Sequence, residues 1–352
     1  MNLSHVTRRA ICAGALSLLA PAAAGAQTPQ DLTIRTPNGV QEETFVALGG
    51  VEQWVTIRGE DRSNPVILFV GGAGNAFGAP FSPFVRTFRP WERDFTLVQW
   101  DPQGCGKTFA RAGRTIPQGV TFDTLVTDGL ALVEHVCARL GVPKVALLGV
   151  CGGSTIALRM IERRPEWFSA FISSGMVTGP PSEGERFYLA RLRRLVAAKG
   201  DPADLKALAD LGPDPLRDGR PRDALYRLGA KYRPPNPKDQ AREVMSAPNW
   251  TLADAAAIGA GIKASWDRFG PSWSAMDWST LPTRLPVPVA LIYGGDNDIQ
   301  PTPLAKAWLD RMKAPRKVWA VIPEAGNHVM ETHTLEYLAL LDSHVRPLLV
   351  GR

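Results

Sequence analysis

Metal-site signatures are missing from this chain of 352 residues: it has four Cys and five His, with no C-x-x-C pair and no clustered His/Cys spacing. A zinc or haem site therefore has no support in the sequence, and no cofactor is expected. Four cysteines are also too few for a disulfide-stapled scaffold of this length. Charge of one sign is scarce, with 40 Lys and Arg against 34 Asp and Glu and a formal charge of +6. That excess is spread thinly and excludes a nucleic-acid surface. The densest basic group, Arg191-Leu192-Arg193-Arg194, falls in a helical pattern and reads as a solvated face. With 45% hydrophobic residues, the composition is that of a globular chain with a full core.

A long apolar run is missing as well. The stretch Ile11 to Ala20 stops at Pro21, short of the roughly 20 residues that a bilayer span needs. It follows the pair Arg8-Arg9 and leads to Ala24-Gly25-Ala26, small residues of the kind a signal peptidase requires. Residues 1–26 are thus expected to be a bacterial export signal of twin-arginine type, with a mature chain starting at Gln27, periplasmic or secreted, and no membrane contact after cleavage. Cys12 leaves with that segment, and Cys105, Cys137 and Cys151 remain. Three thiols cannot all pair within one chain, and an odd one in an oxidising compartment points to a functional cysteine.

Two β-favouring runs, Glu43 to Leu48 and Val51 to Arg58, flank Gly49-Gly50 and read as a hairpin. Short apolar runs then follow at Pro65 to Val70, Phe95 to Trp100, Lys144 to Leu148, Phe168 to Ile172, Val287 to Tyr293 and Val318 to Ile322. Continuous apolar strands of this kind are expected to be buried on both faces, as in a parallel sheet. Helical patterns alternate with them: Phe122 to Leu140, ending at Gly141-Val142-Pro143, then Gly153 to Ile161, Leu304 to Met312 and Leu335 to Leu349. Alternation of this sort predicts an open α/β sheet with its ligand site beyond the carboxyl ends of the strands. Between Gly175 and Leu285 the β pattern stops and helical patterns such as Phe187 to Ala198 and Pro202 to Leu211 take over. The expected organisation is a core made of 27–175 and 286–352, with a helical cap at 176–285. Four Trp, at 250, 266, 273 and 278, fall late in the cap and are expected to pack its helices against the sheet.

The chemistry is concentrated in Leu147-Leu148-Gly149-Val150-Cys151-Gly152-Gly153-Ser154-Thr155. A residue on a sharp strand-to-helix turn needs small neighbours two before and two after it, and Gly149 and Gly153 supply them around Cys151. This is the pattern of a nucleophile elbow with Cys in the place usually taken by Ser, and a thiol there faces the positive end of the next helix, which favours the thiolate. His328, on the loop after the last strand, stands where a general base belongs, with His333 as the fallback. His135 and His344 sit within helices and read as structural or solvated. The loop after Tyr293 offers Asp298, Asn297 and Asp296, in that order of preference, to orient the imidazole. Backbone N–H groups of Gly152 and of Gly72, in Val70-Gly71-Gly72-Ala73-Gly74, would form an oxyanion hole. Two other glycine patterns fail: Gly104-Cys105-Gly106-Lys107-Thr108 would need a Gly at Asp101 to be a P-loop, and Gly72-Ala73-Gly74 would need one at Phe77 to bind a dinucleotide.

These segments resemble the α/β-hydrolase family, and within it the proline-iminopeptidase-like group. Val70 to Gly74 is similar to the family's HGGPG, Trp100-Asp101-Pro102-Gln103-Gly104-Cys105-Gly106-Lys107-Thr108 to its DQRGxGxS, and Gly149 to Gly153 to its GxSxG. The resemblance runs from about Glu42 to Leu349 and implies an α/β-hydrolase sheet, mostly parallel, with an inserted helical cap. It departs from the family at Cys151 and Gly152 for Ser and Trp, at Val70 and Ala73 for His and Pro, and at Gln103 for Arg. Gapless comparison sets Asn297 at the family's acid position. The expected activity is acyl transfer or hydrolysis through a thioester on Cys151, acting on a small ester, lactone, thioester or amide. Two alternatives stand beside it. One is an aminopeptidase whose cap residues Glu183 and Glu185 hold the α-amine of a short peptide. The other is a ligand-binding protein on the same scaffold.

Overall fold

A computed structural model describes residues 32–71, 80–179, 181–212, 222–232, 240–277, 280–297 and 300–350. The expected export signal, Gly72, Trp278 and Asp298 lie outside the described residues.

Strands β1 (Val40–Leu48) and β2 (Val51–Gly59) form the hairpin, closed by Gly49 and Gly50 at φ +57° and +81°. Two consecutive left-handed residues make the tight connection that matches strand twist, and glycine takes that conformation at little cost. Then come β3 (Val66–Val70), α1 (Val85–Phe88), β4 (Thr96–Asp101), α2 (Gly106–Arg111), α3 (Phe122–Leu140), β5 (Val145–Val150), α4 (Gly153–Arg163) and β6 (Phe168–Ser174). Among the described residues, five helices follow before the next strand: α5 (Pro181–Lys199), α6 (Pro202–Asp210), α7 (Arg222–Ala230), α8 (Gln240–Ser246) and α9 (Leu252–Ser274). The chain closes with β7 (Val289–Gly294), α10 (Thr302–Arg311), β8 (Lys317–Ile322), α11 (Val329–Thr332), α12 (Thr334–Leu340) and α13 (Arg346–Leu349).

The eight strands form one sheet in the order β1-β2-β4-β3-β5-β6-β7-β8, antiparallel at β1/β2 and β2/β4 and parallel elsewhere. The order reverses at β3, which lies between β4 and β5, and crossovers leave the sheet to opposite sides there. In sheets of this topology, ligands bind at the carboxyl ends of the strands that flank such a reversal, here β3 and β5.

Alternate residues of the central strands feed two cores. Val66, Leu68, Val70, Val98 and Leu147 pack with Leu125, Val133 and Val136 of α3 and Ile156 and Met160 of α4 on one face. Ile67, Phe69, Leu97, Ala146 and Leu148 pack on the other face with Phe88, Trp91, Tyr337 and Leu341. Burial on both faces is why β3 to β7 read as unbroken apolar runs. The last run behaves differently: β8 is an edge strand with Lys317 exposed and Val321 37% exposed, because among the described residues only β7 pairs with it. The expectation of two-sided burial fails there.

The α3 helix has a capping box between Thr121 and Thr124 and ends at Gly141, whose left-handed φ of +70° lets its N–H reach Cys137 O. The predicted helix Leu335 to Leu349 is instead divided. A π-turn at Leu341–Val345 separates α12 from α13, and Pro347, which has no N–H to continue an α ladder, follows it. Of the late tryptophans, Trp273 is buried in the core cluster on the α3 side of the sheet, with its ring 5.9 Å from that of Phe122, and Trp266 packs against the same core. Among the described residues no helix is long and apolar enough to cross a membrane.

Candidate active site

The turn between β5 and α4 is set by steric necessity. Cys151 has φ +51°, a left-handed backbone that a side-chain-bearing residue adopts only when its surroundings impose it. A Cβ on Gly149 would stand 2.6 Å from Ser154 Cα, and one on Gly153 would stand 1.9 Å from Val70 O, so both positions exclude any larger residue. The Cys151 N–H donates to Ser174 O at 3.1 Å, tying the turn to the end of β6, while Ser154 N–H donates to Cys151 O at 3.1 Å and starts α4. Beneath the turn the Ser154 and Ser173 hydroxyls share a 2.8 Å hydrogen bond. Cys151 is 7% exposed, and Gly152 caps the helix directly after it.

The loops after β7 and β8 converge on this turn. Gly294, at the end of β7, lies so close to the β8 loop that a Cβ would come within 2.3 Å of Ala325 O and Gly326 O. The Asp296 N–H donates to Ala325 O at 2.9 Å. Asn297, 5% exposed, accepts the Gln300 N–H through its side-chain oxygen at 2.8 Å and donates from Nδ2 to Asn327 Oδ1 at 3.4 Å. Gly175, next after β6, faces both amides: a Cβ there would stand 2.8 Å from Asn327 Oδ1 and 3.6 Å from Asn297 Nδ2. The carboxyl ends of β5, β6, β7 and β8 thus meet around Cys151, Gly175, Asn297 and Asn327.

His328 follows Asn327 and caps α11; its O accepts the Thr332 N–H at 2.9 Å, and its Nδ1 lies 3.4 Å from Glu331 Oε1. His333 sits one helix later with Nδ1 2.9 Å from Thr332 Oγ1, while His344 is exposed on the π-turn and His135 lies midway along α3. Asp296 turns toward the cap helices, where its half-exposed carboxylate is 3.8 Å from the Arg191 guanidinium of α5. Arg191 is therefore a tether between α5 and the β7 loop, which corrects its reading as part of a solvated face; Arg193 and Arg194 are exposed. Gly152 stands at the first turn of α4, whereas Gly72 and Asp298 lie outside the described residues.

Sequence reasoning missed two polar side chains here. Gln300 donates from Nε2 to Cys151 Sγ at 3.7 Å, across 149 positions of sequence. Glu331, with its side chain only 9% exposed, meets the imidazole of His328 from one turn further along the chain. The i,i+3 spacing of His328 and Glu331 at a helix start was a visible signal for the second contact. For the first there was none, because no local pattern reports which loop residue reaches a distant sulfur.

None of the three described thiols is in a disulfide, and they differ in setting. Burial pushes Cys105 well above the usual thiol range, with the nearby Asp101 carboxylate adding to it, and burial also raises Cys137. Both are held as protonated thiols. Among the described residues no group of His, Cys, Asp and Glu is placed to hold a metal ion.

Residues 67–340 match the model of the alpha/beta hydrolase family. The chain is 22% identical over 282 residues to the probable aminopeptidase YbaC of Bacillus subtilis, covering 78% of this chain and 86% of that one. It is 32% identical over 120 residues to the proline iminopeptidase of Neisseria gonorrhoeae, 34% of each chain. Among solved structures it resembles a proline iminopeptidase-related protein from Thermus thermophilus, with TM-score 0.58, 20% identity, and coverage of 88% of this chain and 99% of that one. It also resembles an esterase from Rhodococcus sp. ECU1013, with TM-score 0.54, 14% identity, and coverage of 88% and 99%.

Proposed function

This chain belongs to the alpha/beta hydrolase family, a hydrolase with a small-molecule or peptide substrate, and from that premise we propose that it hydrolyses or transfers an acyl group through a thioester on Cys151. The observation that carries this reading is the left-handed Cys151 between β5 and α4, a strained turn that holds one side chain out at the carboxyl edge of the sheet. His328 takes the thiol proton and Sγ adds to the substrate carbonyl carbon. The carbonyl oxygen becomes an oxyanion held by the N–H of Gly152 and, from the early loop, of Gly72. The tetrahedral adduct then expels an alcohol, thiol or amine, which leaves with the proton from His328. Water deprotonated by the same imidazole adds to the thioester and releases the acid, or an amine or alcohol takes its place and receives the acyl group. Asp298 or Asn297 orients the imidazole in this scheme.

The test is incubation with p-nitrophenyl acetate followed by intact-mass measurement. The expected result is an added acetyl on Cys151 and loss of turnover in both Cys151→Ala and His328→Ala. Turnover that survives both changes overturns the proposal, and absence of any ligand-dependent chemistry favours the ligand-binding scaffold instead.

Aminopeptidase activity is a second reading, favoured by Glu185 on α5, a carboxylate 9% exposed within the cap helices, together with the aminopeptidase names of the relatives above. Glu185, with Glu183 beside it, would hold a substrate α-amine. Proline p-nitroanilide separates the readings: a KM increase in Glu185→Gln for this amide, with none for the acetate ester, supports the peptidase. Export by a twin-arginine signal belongs to the same proposal. Replacing Arg8 and Arg9 by Lys is expected to leave the protein in the cytoplasmic fraction.

A further inference from the structure

The loop after β7 delivers an amide to the sulfur. Gln300 Nε2 is 3.7 Å from Cys151 Sγ, within hydrogen-bond reach of a sulfur acceptor. Its backbone is pinned on both sides. The N–H of Gln300 is bound by Asn297 Oδ1 at 2.8 Å, Pro301 follows at φ −55°, and the Thr302 hydroxyl donates to Gly294 O at 2.7 Å, locking the start of α10 to the end of β7. Gln300 is part-buried and leaves from a backbone with little freedom, so its carboxamide is presented by the scaffold.

We propose that the Gln300 carboxamide is a catalytic donor to Cys151, holding the sulfur as thiolate in the resting enzyme and releasing it as charge moves to the substrate oxygen. The assignment rests on the thioester reading above. Its physical basis is independent of substrate: an N–H donor favours the charged form of its acceptor, whereas an apolar or anionic neighbour does not. A hydroxyl nucleophile is not an anion at rest and gains little from such a donor; a thiol does.

A trade-off gives the proposal a signature. A donor that lowers the thiol pKa raises the thiolate fraction but makes each thiolate less nucleophilic, with a Brønsted slope of about 0.4–0.5 in thiol–disulfide exchange. Below the thiol pKa the gain in fraction wins, roughly three-fold for each pH unit of lowering; above it the loss in nucleophilicity remains, by a similar factor. The rate profiles of wild type and a donor-less variant must therefore cross.

The experiment measures the pH dependence of the reaction of the full-length protein with a dipyridyl disulfide, taking as the Cys151 phase the one that disappears in Cys151→Ala. Gln300→Glu keeps the shape and places a carboxylate at the sulfur; Gln300→Leu removes the donor without adding charge. The expected order of apparent thiol pKa is wild type, then Leu, then Glu, with Leu about one pH unit above wild type, and with both variants slower than wild type below the crossing and faster above it. Superimposable profiles in all three proteins overturn the assignment, as does a Glu variant that matches wild type while Leu alone differs, which is the behaviour of a packing role. If the order holds but wild type forms no acyl-enzyme from any ester, the donor assignment stands and the thioester reading falls.

Discussion

The two halves of the site are built by different means. On the nucleophile side, Gly149, Cys151 and Gly153 lie within five positions, and the two glycines are dictated by contacts at 2.6 and 1.9 Å that no Cβ could make. On the base side, Asn297 and Gln300 on the β7 loop and Asn327 and His328 on the β8 loop are joined by the 3.4 Å Asn297–Asn327 side-chain hydrogen bond, while Asn297 Oδ1 accepts the Gln300 N–H at 2.8 Å within its own loop. The first half is enforced by repulsion and tolerates nothing. Apart from the close approaches at Gly175 and Gly294, the second is held by attraction between polar groups that water could replace, so its side chains can be retuned without loss of the fold.

That contrast is broken most directly at Gly153. Gly153→Ala places a Cβ on Val70 O and is expected to destabilise the protein by more than about 4 kcal/mol or to abolish soluble expression, read as a thermal melt or as yield. A variant that melts with wild type would show that the turn has room the geometry denies.

The next effect concerns pH. Asp101, at the end of β4, is raised to about 7 by burial, against a smaller opposing pull from the Lys107 N–H. A folded pKa above the unfolded value stabilises fully below about pH 4, and that contribution is lost as pH rises toward 7. The shift corresponds to at most about 4 kcal/mol. Asp101→Asn is expected to flatten the fall in thermal stability between pH 4 and 7. An unchanged slope would mean that some other group carries it.

On the base side, Asn297→Ala removes both the turn that holds Gln300 and the bridge to Asn327. The expected cost is about 1–2 kcal/mol of stability with a larger fractional loss of kcat. Equal, small losses in both would reduce Asn297 to a loop staple. Smallest of all, Asp296→Ala should cost about 0.2–1 kcal/mol and only at low salt, because its contact with Arg191 is 3.8 Å long and half exposed.

Legibility followed the same division. The apolar runs at Val66 to Val70 and Val145 to Val150 announced buried strands, and Gly149-x-Cys151-x-Gly153 announced the elbow, because both signals are local and steric. The carboxyl-edge position of His328 was legible from its place after the last strand. Arg191 was not: a helical pattern shows which residues share a face but not which loop that face meets. The exposure of β8 was hidden for a similar reason, since an edge strand and a central strand share the same β-branched composition until their neighbours are known.

By itself the amino-acid sequence determined the α/β alternation, the turn that presents Cys151 and the loops that carry Asn297 and His328, because backbone sterics and hydrophobic period act over a few residues. Tertiary structure alone decided that Gln300 reaches the sulfur and that Asp296 faces Arg191. The sulfur and Gln300 are 149 positions apart, and those two and Asp296 and Arg191 become neighbours only when β5, β7 and α5 are assembled. A polar contact of that kind depends on the direction of a side chain across the assembled sheet, and no periodicity along the chain encodes it.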